Sequence, residues 1–376
     1  MNFGFDDDQK SLGETVARLL SDFPTLTAPD LAPPGDDAVW RAVTDLGLFS
    51  LLVPERVGGV GLSLVDLALA TEALGAGLAP PAIAATLAAT DLIVRHGSEA
   101  QHGLWLPMIA SGKLKVALAI QDVDCGYAPE EVKTSVSDGV VSGKKILVAD
   151  AADAAVFLVL ARQPTGMAIV AVDRDTPGVL VRPHEDIDPT SGLCAIDLDR
   201  VALRDDAVIG AAAPDRAVKR LLDVAVTIDA GQLMGIAAKM LDTSVEYART
   251  RVQFGQLIGA FQAIKHRCAD MAVAVEAGRS AAYYAFWAVA ENAPDRARAT
   301  SMAKAYCGDV ARQVCNDAIQ IHGGMGFTWE LGLHRFLRRS KVLEHANGDI
   351  AYHNERVLSE TLATIGVSGE RQRAAA

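Results

Sequence analysis

Hydrophobic positions divide the chain into three stretches with different periods. From about residue 5 to 115 apolar residues recur at helical spacing, as in Gln9 to Phe23, and Pro33-Pro34-Gly35 predicts a break before a helix starting near Asp36. Leu46-Gly-Leu-Phe-Ser-Leu-Leu-Val-Pro54 runs into Gly58-Gly59-Val60-Gly61-Leu62, whose glycines predict a tight turn. Ser63 then predicts a cap for the helix that carries Glu72 to Gly75. From about 116 to 210 the period falls to two. Val116 to Ile120, Gly139 to Gly143, Lys145 to Val148, Ala155 to Leu160 and Ala168 to Val172 read as short strands, and Asp138-Gly139 as a hairpin turn. From about 215 to 365 the pattern is helical again, in long segments over roughly Ala217 to Thr250, Phe261 to Asn292 and Asp295 to His322.

These shifts predict an α+β fold in three parts: an N-terminal helical domain over 1–115, a middle β-barrel or sandwich domain over 116–212 and a C-terminal four-helix bundle over 213–376. The boundary signals are Ser111-Gly112 and Ala211-Ala-Ala-Pro214. Composition narrows the class. Half of the 376 residues are hydrophobic, the surplus is rich in Ala and Leu, and no apolar run reads as a membrane span. That surplus suits helices that bury more than one face, as in an oligomer. A formal net charge of −12 argues against nucleic acid or an anionic membrane as the main partner. The start, Met1-Asn-Phe-Gly-Phe-Asp-Asp-Asp, lacks the basic and apolar regions of a signal peptide. Five scattered cysteines without CxxC spacing read as reduced thiols of a cytoplasmic protein, with neither zinc nor disulfides expected.

Two segments carry chemistry. Arg251-Val-Gln-Phe254-Gly-Gln256 places a fixed cation and an aromatic ring just past one long helix. Gln320-Ile-His-Gly323-Gly324-Met-Gly326-Phe327 places a glycine-rich turn just past another. A guanidinium and exposed backbone N–H groups suit a diphosphate, and a ring face suits an adenine or a flavin edge. The plain alternative is that Arg251 and Gln320 are a helix-end charge and a surface amide.

With Trp40 through Gly47, Val53-Pro54-Glu55, Glu72-Ala-Leu-Gly75, Phe261-Gln262 with Lys265, and Ala269-Asp270-Met271, these segments resemble the acyl-CoA dehydrogenase family in order and spacing across nearly the whole chain. The resemblance implies FAD as cofactor, an acyl-CoA as substrate and a flavin shared between subunits. One subunit's sheet domain and base loop hold the ring, while the neighbour's bundle holds the pyrophosphate and adenine. Arg251, Phe254, Gln320, Gly323 and Gly324 match the positions that donate to the neighbour.

The positions that serve the ring and the base depart from the family's pattern. Gln121-Asp122-Val123 and Tyr127 stand where members carry Thr-Glu-Pro and a later Ser. Leu147 and Ala149 stand where they carry a Trp beside the flavin and a Thr aimed at its N5. Strand drift with main-chain contacts preserved is the bland account of those changes. Counting from Lys341 puts Asn347 at the usual base position, and an amide has no basic lone pair at neutral pH. The other family location for the Glu is Ala225, beside Val226 in place of an Arg. Asp349, Glu344 and His345 lie in the right loop as substitutes, Asp349 the foremost, and Asp223 and Asp229 lie about one helical turn from Ala225.

Groups that serve a neighbour's cofactor are kept, while groups that serve the chain's own ring are lost. Gly-Phe-Thr-Trp-Glu330, Leu-His-Arg-Phe-Leu-Arg-Arg and the Gly348-Asp349 ending also resemble the actinobacterial acyl-CoA dehydrogenases of sterol side-chain degradation, which work as α2β2 assemblies. The resemblance thus implies the non-catalytic half of a heterotetramer with a homologous dehydrogenase subunit. The assembly would oxidise a bulky acyl-CoA to its trans-2-enoyl-CoA by α-proton abstraction and β-hydride transfer to flavin. Electron-transfer flavoprotein is left open as a further partner. A self-sufficient flavin dehydrogenase or oxygenase with a displaced base, and a non-redox scaffold on the same fold, remain the alternatives.

Overall fold

The structure, a computed structural model, describes residues 4–23 and 37–365; the expected break at Pro33-Pro34-Gly35 lies outside them. The N-terminal stretch forms α1 (Asp7–Ser21), α2 (Ala38–Asp45), α3 (Ala68–Ala76), α4 (Pro81–His96) and α5 (Glu99–Ala110). Capping is local: Asp6 and Gln9 close a reciprocal box on α1, and Ser98 and Gln101 do the same on α5. Ser63 works as expected, its N–H and hydroxyl both donating to the Asp66 carboxylate at 2.8 Å ahead of the turn that feeds α3. In the glycine turn before it, a Cβ on Gly59 would lie 1.9 Å from the carbonyl oxygen of Val53, so only a bare backbone fits there.

The middle stretch forms β1 (Val116–Ala119), β2 (Ser135–Ser137), β3 (Val140–Val148), β4 (Val156–Gln163), β5 (Gly166–Asp173), β6 (Val179–Pro183), β7 (Cys194–Ala202) and β8 (Val208–Ile209). They make one sheet in the order β6-β7-β3-β2-β4-β5-β8, with β1 parallel to β4. Asp138 and Gly139, at φ 51° and 73°, turn β2 into β3 with Ser137 opposite Val140, as their sequence predicts. The two runs expected on either side of Lys144 are one strand, because β3 continues along β7 through register shifts instead of breaking. Alternation along β4 splits the hydrophobic interior. Val156, Leu158 and Leu160 join the core shared with the N-terminal helices, while Phe157, Val159 and Ala161 join a second core within the sheet domain.

The C-terminal stretch forms α6 (Pro214–Thr250), a short hairpin of β9 (Val252–Gln253) and β10 (Gln256–Leu257), then α7 (Gln262–Ala290), α8 (Arg296–His322), α9 (Leu333–His345) and α10 (Ile350–Thr364). Against the sequence reading, α6 is long and apolar enough to cross a bilayer; its most apolar window is 94% buried, and it is the central helix of the bundle. It crosses α3 at backbone distance. A Cβ on Gly75 would stand 2.0 Å from the Gln232 carbonyl, and one on Gly235 would stand 1.8 Å from the Glu72 carbonyl. Buried ion pairs fix the three parts together. Arg220 of α6 forks onto Asp91 of α4 at 2.6 and 2.7 Å, and Arg339 of α9 reaches Asp188 and the carbonyls of Ala79 and Thr190. All five cysteines are free thiols.

Candidate active site

A cavity of about 410 Å³ opens where the sheet meets α6 and the α9–α10 loop. Gln121, Tyr127, Leu147, Ala149, Ala225 and Asn347 all line it. The residues that the resemblance assigns to the ring and the base, drawn from four separate segments of sequence, therefore converge on one space.

Its walls are mostly apolar. Leu147 sits at φ 55°, within the register shift between β3 and β7, and 47% of it is exposed. This left-handed conformation is strained for a branched side chain and turns an aliphatic group toward the space. Ala225 and Val226 present small surfaces from α6. Tyr127 packs against Tyr352 of α10 with ring centroids 5.6 Å apart, and burial together with the nearby Asp349 carboxylate pushes its phenol up. The Asp122 carboxylate beside Gln121 is buried, accepting from the Lys133 and Thr134 N–H groups and pairing with Lys145 at 2.6 Å. Burial lowers the Lys145 ammonium to about 8 despite that pair. This knot ties the β1–β2 loop to β3.

Asn347, which the resemblance places at the base position, stands at φ 57° and donates from Nδ2 to Asp229 Oδ2 at 3.0 Å. The same oxygen lies 3.3 Å from Lys304 Nζ, and Lys304 also donates to the carbonyls of Leu343 and Ala346. Lys304 is fully buried, and desolvation lowers its pKa while raising that of Asp229. The network holds the loop between α9 and α10 by its backbone and its amide at once. His353, fully buried, donates from Nε2 to the Asn347 carbonyl at 3.2 Å, since a carbonyl only accepts.

Of the weighed substitutes, Asp229 and His345 line the cavity, while Asp349, Asp223 and Glu344 are held in other contacts. Asp349 caps α10, accepting from the Tyr352 N–H at 2.8 Å. Asp223 is paired with Arg296 and Arg356, and Glu344 with Lys341. His345 reaches the cavity rim, exposed. Among the described residues the carboxylates that line the cavity are Asp186 and Asp229. Lys304 and the full role of Asp229 escaped the sequence reading. The available signal was an Asp on the otherwise apolar stretch of α6 that faces a Lys inside α8.

The second constellation lies at the other end of the bundle. Arg251 ends α6, Phe254 is 91% exposed at φ 52°, and Gln320, Gly323 and Gly324 close α8 on the surface. Tyr247 stacks on His322 with centroids 4.2 Å apart, bringing the ends of α6 and α8 together. His322 is thus a packed side chain, its Nδ1 bonded to the Ala318 carbonyl at 2.7 Å. A Cβ on Gly324 would meet nothing within 4 Å, so no contact within the chain demands glycine there; a bare backbone open to an approaching phosphate fits it. From Ala225 to Arg251, α6 climbs about 39 Å. Arg251 and the chain's own cavity are thus held well apart along α6.

Comparison with known proteins agrees with this layout. Residues 6–113, 117–201 and 216–362 match the acyl-CoA dehydrogenase N-terminal, middle and C-terminal domains. The chain is 30% identical to the probable acyl-CoA dehydrogenase YngJ of Bacillus subtilis, over 93% of this chain and 96% of that protein. It is 32% identical to acyl-CoA dehydrogenase FadE34 of Mycobacterium tuberculosis, over 88% of this chain and 44% of that protein. A solved structure described as the Tcur3481-Tcur3483 steroid ACAD G363A variant superposes with a TM-score of 0.86 at 26% identity, covering 96% of this chain and 99% of that one. The chain belongs to the acyl-CoA dehydrogenase family of FAD-dependent oxidoreductases.

Proposed function

We propose that this chain is the non-catalytic half of an α2β2 acyl-CoA dehydrogenase, completing the FAD site of a homologous partner subunit. The observation that carries the reading is Asn347: the base position holds an amide, and that amide is already bonded to Asp229. Bound FAD supplies the hydride acceptor for α,β-dehydrogenation of an acyl-CoA thioester. This chain's residues hold rather than react. Arg251 would fork onto phosphate oxygens, Phe254 would offer a ring face to adenine, and Gln320 with the Gly323-Gly324 turn would offer an amide and backbone N–H groups. The length of α6 supports a ring seated in another subunit. The likeness to a steroid dehydrogenase supports a bulky, sterol-derived acyl group. Electron-transfer flavoprotein fits as the assembly's electron acceptor, and the divisions at 1–115, 116–212 and 213–376 as its domains.

Flavin content tests this. Purified alone, the chain is expected to hold little FAD; co-produced with a homologous dehydrogenase subunit, it is expected to hold about one flavin per two chains. Stoichiometric FAD in the chain alone, bleached by an acyl-CoA, sinks the proposal.

One observation favours a second reading. Both hydrogen bonds to Asp229 fall on Oδ2, its carboxyl lines the cavity within one hydrogen bond of the usual base position, and burial raises its pKa. Asp229 would then be a displaced base in a self-sufficient dehydrogenase. That reading requires the chain alone to bleach with acyl-CoA and Asp229→Asn to abolish the bleaching.

A further inference from the structure

We propose that a second, arginine-lined cleft binds a phosphate-class anion at a site separate from the acyl-CoA cavity. The cleft, about 480 Å³, lies between the end of α4, the start of α6 and the α7–α8 turn, and is lined by Arg95, His96, Arg216, Arg220, Asn292 and Arg296. Positions 216, 220 and 223 follow one face of α6, and 222, 225 and 229 follow the other, so the cleft and the cavity lie on opposite sides of that helix.

Charge is unbalanced there. Four guanidinium groups face the cleft in a chain of net charge −12. Asp91 answers two of them, Arg95 and Arg220, and Asp223 is divided between Arg296 and Arg356. Arg216 is exposed and has no ion-pair partner among the described residues. Arg220, 4% exposed and held by Asp91 and the Val289 carbonyl, forms a rigid floor. Asn292, at φ 50°, sets an amide at the rim.

The start of α8 adds to the field. Its N-cap Asp295 makes no capping bond, because its carboxylate instead accepts from Tyr284 at 2.9 Å and Arg298 at 3.3 Å. The first N–H groups of a 27-residue helix are thereby left without a side-chain cap beside Arg296. The local potential also shows in His96, whose pKa is lowered first by burial and then by Arg220, with Arg95 and Arg216 adding to it.

Convergent guanidinium groups recognise the oxygens of a tetrahedral oxyanion, each fork taking two of them. The cleft has room for more than the bare ion. The shared chemistry is therefore a phosphate group, either free or carried on a nucleotide. Occupancy would compete with Asp223 for Arg296, and Asp223 also holds Arg356, which lines the acyl-CoA cavity. The anion site and the cavity thus share one carboxylate.

Isothermal titration of the full chain tests the proposal, with inorganic phosphate in one arm and adenosine 3′,5′-bisphosphate in the other, at constant ionic strength. Saturable binding in either arm is expected, the first assigning a free phosphate and the second alone a nucleotide-borne one. Arg216→Ala, which breaks no internal contact, should weaken it about tenfold, while Arg216→Lys retains part and Arg18→Ala on α1 leaves it unchanged. No saturable heat in either arm, or equal effects of Arg216→Ala and Arg18→Ala, overturns the proposal. Neither result depends on whether Asn347 disables the chain's own active site.

Discussion

His353 packs beneath the α9–α10 loop with Nε2 on the Asn347 carbonyl and, among the described residues, no partner for Nδ1. Burial, reinforced by the nearby Lys304 and Arg356 cations, lowers its pKa from 6.5 to about 3. A depressed folded-state pKa contributes stability that is present above the unfolded value and lost as pH falls through the folded one. Urea midpoints should therefore fall as the pH drops from 6.5 toward 3, and His353→Gln should flatten that limb. Asp150 acts in the opposite sense. Burial raises it from 3.8 to about 6, so its contribution is present below 3.8 and is lost as pH rises through about 6. Lys304 is the other exacting residue. Lys304→Met strands the buried Asp229 carboxylate and two loop carbonyls, and should cost about 3–5 kcal/mol in denaturant unfolding. Adding Asp229→Leu should recover much of that loss. The convergence of Asn347, Ala225 and Leu147 was legible because motif spacing assigns all three to one site by counting, and all three line the cavity. The Asp229–Lys304 pair was not, because 75 positions separate its members and counting along one segment cannot join them.

The helices were the most legible elements. The three long ones were placed within three residues at each end, since each runs between strong breakers and keeps a 3.6-residue period. The strands were less legible. β6 and β7 were missed because β6 is half exposed and β7 carries Asp197, Asp199 and Arg200, which dilute the apolar alternation. Between elements, the crossing of α3 and α6 was invisible in sequence, although two glycines make it. Gly235→Ala pushes a methyl group into the Glu72 carbonyl and should lower stability by about 1–3 kcal/mol, read as a fall in melting temperature. Glu72 itself receives Arg279 and Tyr283 from α7, so any shift of α3 also disturbs the α3–α7 contact.

At the scale of the whole molecule, the exposed end of the bundle is unusually apolar. Phe254, Phe327 and Trp329 are 91%, 80% and 53% exposed around the surface that holds Arg251 and Gly323. Such a patch suits burial against cofactor and partner together. Arg251→Ala removes no ion pair among the described residues, and Phe254→Ala removes an edge contact with Phe261 at 6.1 Å between centroids; both should leave the chain's melting temperature nearly unchanged. Each should loosen flavin in the co-produced assembly about tenfold or more, measured by release of flavin fluorescence on dilution. In genetic terms, the stretch of α6 between the cavity and Arg251 makes lesions at those two places separable. In the proposed assembly, a change at Arg251 would be scored as a flavin deficiency in the product of a different gene. A change at Asn347 would leave that other product intact. Under that assembly, alleles of this one chain would sort into those that empty a partner's flavin site and those that spare it.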